Sequence, residues 1–239
     1  MASRFAVAQV VLVALTASFS ASANQVTTVP GFGPYSAGDG EFTMGTDAGL
    51  AGLLGGYSPL TRNYVLPGSF QTFCVERNEY ITAGTTYDVT FNNVTVFSGV
   101  PLSVGTAYLY QQFATGVLAG YNYLDTPAGS RAFGTHGSAF ELQQAIWYFM
   151  GEYSYNPYNV YMNGSVFVPG NIPGVTGTGA FAADNGAHGV ALLNLWAPGQ
   201  PHDPAHAYQD ILVYSVPEPA TLALAALGAA ALLAHRRKK

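Results

Sequence analysis

Apolar and polar positions change period several times along the chain, and each change marks an element. From Gly31 to Gly56 glycine is frequent and only Glu41 to Met44 alternates, which predicts a short edge strand among loops. Phe70 to Ile81 and Thr86 to Phe97 alternate aromatic or β-branched residues with polar ones, the pattern of half-buried strands, with a turn at Asn92-Asn93. Between Gly105 and Leu118 the period lengthens. Leu109, Phe113 and Val117 recur every fourth residue beside Ala114 and Leu118, which predicts an amphipathic helix. A second helix is expected to begin at Ser138, where Ser138-Ala139-Phe140-Glu141 carries the hydroxyl and the carboxylate of a capping box. Tyr153 to Gly186 is rich in Tyr, Asn, Gly and Pro and reads as a long loop with a short helix near Ala180. Val190 to Trp196 and Asp210 to Val216 read as closing strands. No repeat of fixed period runs through the chain. Strands, helices, loop and strands in that order predict a mainly β (α+β) domain with a helical insertion, built as an antiparallel β-sandwich or barrel-like body.

The two ends follow other patterns. Arg4, the apolar run Phe5 to Ala17 and Ala21-Ser22-Ala23 form the three parts of a secretory signal, with cleavage expected after Ala23. At the far end Val216-Pro217-Glu218-Pro219 precedes an unbroken apolar stretch, Ala220 to Ala234, and then His235-Arg236-Arg237-Lys238-Lys239. Two prolines two residues apart cannot lie inside a helix, so they divide a domain over 24–215 from a tail over 216–239. The Ala/Leu stretch is helical by propensity, and the basic end Arg236 to Lys239 favours the cytoplasmic side of a membrane. At 1.5 Å per residue it spans about 22 Å, short of a bilayer core of about 30 Å, which suits a transient inner-membrane anchor. This tail resembles the PEP-CTERM sorting signal of exopolysaccharide-producing bacteria. The resemblance implies passage through the secretion machinery, processing by an exosortase near Pro217-Glu218-Pro219, and delivery to the cell surface or biofilm matrix.

Composition removes several classes of function. The 239 residues include 28 Gly, 16 Tyr and 14 Phe, and only 9% are charged, unlike a disordered chain. Between Asn24 and Ser215 three arginines stand against twelve carboxylates, a balance of −9, and there is no lysine. Such a surface does not neutralise phosphates, which argues against nucleic acid and anionic lipid headgroups as partners.

Cys74 is the only cysteine of a chain expected to be exported, so it cannot pair within the chain. An inert buried thiol, an intermolecular disulfide and a bond to a group other than sulfur all stay open. On the second helix Leu142, Phe149, Ile146, Ala139, Met150, Trp147 and Phe140 fill one arc, and Gln143 falls in its middle. Gln144 instead borders Glu141 and Tyr148, toward solvent. A carboxamide on the core face must find partners or cost about 1–3 kcal/mol. Either Gln143 hydrogen-bonds a strand backbone and pins the helix, or it is no longer an amide.

Phe73-Cys74-Val75-Glu76 followed by Leu142-Gln143-Gln144-Ala145-Ile146-Trp147 is similar to the thioester domains of bacterial surface adhesins, over roughly Phe70 to Met150. Leu142 departs from them, since a threonine often stands at that position. The resemblance implies a thiol at Cys74 and an acyl partner at Gln143, with Phe73, Phe140, Ile146 and Trp147 as the walls that exclude water. It further implies capture of an amine on a surface protein or polysaccharide, in a single turnover.

Other arrangements are weaker. A cysteine hydrolase needs a base beside Cys74, and no local signature ties His136, His188, His202 or His206 to it. Pro204 between His202 and His206 argues for a surface loop and against a metal site. Tyr153, Tyr155, Tyr158 and Tyr161 either stack on sugar rings or staple a loop onto the core. The expectation is therefore an exported, non-enzymatic protein without cofactor, attaching covalently through Cys74 and Gln143. The alternative is a non-covalent structural or carbohydrate-binding matrix protein with an inert, buried Cys74.

Overall fold

The computed structural model describes residues 24–30, 41–54, 68–121, 123, 137–170 and 179–214. The signal segment 1–23, His136, the sorting motif Val216 to Pro219, the stretch 220–234 and the basic end Arg236 to Lys239 lie outside them. Six strands form one antiparallel sheet: β1 (Gln25–Thr28), β2 (Phe42–Thr46), β3 (Ser69–Thr72), β4 (Thr86–Asn92), β5 (Val190–Trp196) and β6 (Ile211–Tyr214). Their order is β3-β2-β1-β4-β5-β6. The sheet curls until its two outer strands meet. Cys74, just past β3, bridges Ile211 of β6, the Val75 N–H donates to the Asp210 carbonyl at 3.0 Å, and the Thr72 hydroxyl donates to the Leu212 carbonyl at 2.6 Å. The barrel-like expectation is the one observed, and among the described residues there is no second sheet to make a sandwich. Helices α1 (Ala48–Leu53), α2 (Val104–Ala114) and α3 (Ser138–Phe149) complete the body, with 3-10 turns at Gly179–Phe181 and Pro204–His206.

Strands β5 and β6 are buried on both faces. Leu193 and Leu195 of β5 join Ile211 and Val213 of β6 in a core shared with β1, β2 and Leu50 of α1. Leu192 and Leu212, of the opposite parity, belong to a second core made with α2 and α3. Side chains alternate across a strand, so a strand covered on both faces reads as a nearly continuous apolar run, as Val190 to Trp196 does apart from Asn194.

Several expectations are corrected. Glu41 to Met44 is not an edge: β2 lies between β1 and β3, and Glu41 is fully buried. The strand expected over Phe70 to Ile81 stops at Thr72, because the chain turns after the Cys74 bridge. The capping box does not form. Ser138 is already the first helical residue of α3, Gly137 takes the extended cap position, and no side chain caps it. The first long helix begins earlier, at Val104, where the Ser103 hydroxyl accepts from the Thr106 N–H. It stops at Ala114 because Gly116 adopts φ +79°, which leaves Val117 exposed and off the expected stripe. Gly105 is needed for packing: a Cβ there would lie 2.7 Å from the Phe149 ring, so its absence lets α2 close onto α3. Strand β1 and helix α1, the latter capped by the Asp47 carboxylate on the Leu50 N–H, have no counterpart in the sequence reading.

Candidate functional site

The seam where β3 meets β6 carries the two residues singled out in the sequence. Phe73 and Val75 alternate into the helix-side core, so Cys74 between them points the other way, half-buried at the margin of the β1–β2 core. The bridge to Ile211 leaves the Cys74 N–H and C=O facing away from β6. Gln143 of α3, fully buried, fills that edge: its Oε1 accepts from the Cys74 N–H at 2.9 Å, and its Nε2 donates to the Cys74 carbonyl at 2.7 Å. The carboxamide acts as one further residue of a β ladder, matching one donor and one acceptor of the strand with its own. Two residues 69 positions apart are thereby held together.

The expected wall residues are distributed unevenly. Phe73 and Ile146 are fully buried in the helix-side core, where the Phe73 ring meets Phe113 edge-on at 5.0 Å. Trp147 is buried but turns toward Tyr153, with ring centres 6.3 Å apart, and Phe140 is half-buried. Gln144, expected toward solvent, is buried, and its Nε2 donates to the Tyr153 hydroxyl at 2.8 Å. The cause is tertiary: the chain beyond α3 folds back over the helix, and the Asn159 side chain donates to the Glu141 carbonyl. That return divides the tyrosines. Tyr161 is fully buried as a staple, Tyr153 and Tyr155 are half-buried, and Tyr158 is 88% exposed.

Beside the amide lies a feature that sequence reasoning missed. Glu76 and Asp210, both buried, approach across the seam. Asp210 accepts from the Val96 N–H at 2.7 Å and from Asn194 Nδ2 at 2.8 Å, and Glu76 accepts from the Ser98 N–H at 2.9 Å. Glu76 Oε2 meets no N–H or hydroxyl, and the Asp210 carboxyl is its neighbour across the seam. Burial, with the adjacent Glu76 adding to it against the Asn194 and Val96 hydrogen bonds, raises the Asp210 carboxyl to about 7. The only sequence signal was parity, since Glu76 follows Cys74 by two in an extended segment.

Of the histidines, His188 pairs with the buried Asp184, and His206 with the exposed Asp203, whose carboxyl its hydrogen bond lowers. His202 lies beside the Trp196 ring. Among the described residues no group of His, Cys, Asp and Glu could hold a metal ion, and no helix is long and apolar enough to cross a membrane.

Residues 215–238 match the PEP-CTERM protein-sorting motif. No curated protein and no solved structure matches the chain significantly, so neither comparison supports a likeness to adhesin thioester domains. The sorting motif implies export, surface sorting and an exosortase as processing partner.

Proposed function

We propose that this exported, exosortase-sorted protein attaches covalently at the cell surface through an internal thioester between Cys74 and Gln143. One observation carries the reading: the carboxamide of Gln143 is buried and held by two hydrogen bonds against the backbone of the only cysteine. The Cys74 N–H on Oε1 polarises the carbonyl in the direction that charge develops when a nucleophile adds to Cδ. Attack by Sγ forms the S–C bond and breaks the C–N bond. Ammonia leaves with both amide hydrogens and the thiol proton. An amine on a partner then adds to Cδ, the C–S bond breaks, and the amine proton returns to sulfur, leaving an amide on Gln143.

The same two hydrogen bonds favour a second reading, in which the amide stays intact and fastens α3 to the seam of a non-covalent surface protein. Intact mass of the exported, processed protein decides between them. The thioester predicts a mass lower by one ammonia, restored in Cys74→Ala, and a thiol that reacts with alkylating reagent only after methylamine. Full mass with a thiol titratable on unfolding alone selects the second reading.

A further inference from the structure

The segment that folds back over α3 leaves an open cleft of about 630 Å³ at the end of that helix, bordered by Arg77, Glu152, Tyr153, Tyr155, Asn156 and Tyr158. Two features distinguish it from a loop lying over core. The Tyr158 ring is 88% exposed at its rim, while Tyr161, three residues on, is fully buried. The Arg77 guanidinium sits over the Tyr153 ring, 5.1 Å from its centre, which holds that ring in place. Glu152 is anchored by the Arg77 N–H on one oxygen. Glu152 also lines a second cavity, of about 260 Å³, with Glu76, Glu79 and Phe97. Three carboxylates therefore stand against the one guanidinium in this region.

We propose that the cleft binds a chain of amino sugars, a hexosamine polymer carrying free ammonium groups. A pyranose presents a face of C–H bonds, weakly positive, that lies on the negative face of an aromatic ring, and Tyr158 offers such a face to solvent. Its hydroxyls need planar side chains with paired donors and acceptors, and Asn156, Arg77 and Glu152 border the same space. Charge selects among sugars. Burial raises the Glu152 carboxyl, the Arg77 N–H and the Arg77 charge oppose this, and Glu76 and Glu79 raise it further, so an entering ammonium relieves a repulsion that a neutral sugar does not. The domain has no lysine of its own to compete for that place.

This deepens the proposed function by naming the class of amine-bearing partner. It rests on that reading only for the covalent step, since binding in the cleft does not need the thioester. The test uses Cys74→Ala, which cannot form a covalent bond, and the same protein with Tyr158→Ala or Glu152→Gln added. Binding of a glucosamine hexasaccharide is measured by titration calorimetry beside its N-acetylated form and cellohexaose. The glucosamine chain is expected to bind Cys74→Ala, and to bind about tenfold more weakly when either second change is present. Tyr158 is exposed, so its loss leaves folding intact. No binding, equal binding of the acetylated or neutral chain, or binding unchanged by Tyr158→Ala overturns the proposal. Failure of the ammonia deficit in the wild-type protein overturns the thioester alone.

Discussion

Two buried polar sites lie side by side on the seam that closes the sheet, and they are satisfied in opposite ways. At Cys74 a neutral amide meets a neutral backbone, one donor to one acceptor in each direction. At Asp210 two carboxyl groups meet, both built to accept, and burial beside Glu76 holds the Asp210 carboxyl well above its ordinary range. The first arrangement is indifferent to pH, and the second depends on it. A buried hydrogen bond is thus durable when its partners match in type, whatever their distance along the chain.

The largest expected effect comes from breaking the matched site. Gln143→Leu leaves the Cys74 N–H and C=O buried without partners, and urea unfolding should show a loss of about 3 kcal/mol. The mismatched site is read by pH. The folded Asp210 keeps its proton up to about 7, whereas the unfolded carboxyl releases it near 3.8, so between these values the folded state binds more protons. Stability should therefore fall as pH rises through that window. Melting temperature followed across it should show the decline, and Asp210→Asn, which supplies its own donor to Glu76, should flatten it.

Thr72→Val removes one hydroxyl that ties the end of β3 to the Leu212 carbonyl. It should cost about 1 kcal/mol in the same unfolding assay, independent of pH. Cys74→Ala separates the two readings of the Gln143 amide. With the amide intact its clamp is made by backbone atoms, and stability should change by less than about 1 kcal/mol. With the thioester in place the change also opens a covalent loop, should cost about 2–4 kcal/mol and should abolish the ammonia deficit. A loss of that size with no deficit to abolish would mean that the thiol itself carries the seam.

Periodicity decides a residue's place where an element's own neighbours set the pattern. The Val190 to Trp196 strand and the core-facing position of Gln143 both appear where their periodicity puts them, whereas the strand expected over Thr86 to Phe97 stops at Asn92. Periodicity fails where a distant segment arrives. Gln144 looked solvent-facing because helical geometry says nothing of the chain that returns over it to place Tyr153 within 2.8 Å. The Ser138 box failed on a single residue of phase, since a hydroxyl caps only from the extended position that Gly137 occupies. Glu41 read as edge because a four-residue strand at Gln25–Thr28, too short to show a period, lies beside β2.

From the residues alone came the sorting tail at 216–239, the antiparallel β-rich class with its helical insertion, and a buried glutamine in need of a partner. Only closure of the sheet chose that partner. It brought Cys74 to Ile211 and Glu76 to Asp210, across more than a hundred residues of chain, and so created both polar sites at once. The reason is physical: periodicity is set within a few residues, whereas the partner of a buried hydrogen-bonding group is whatever the folded backbone leaves beside it.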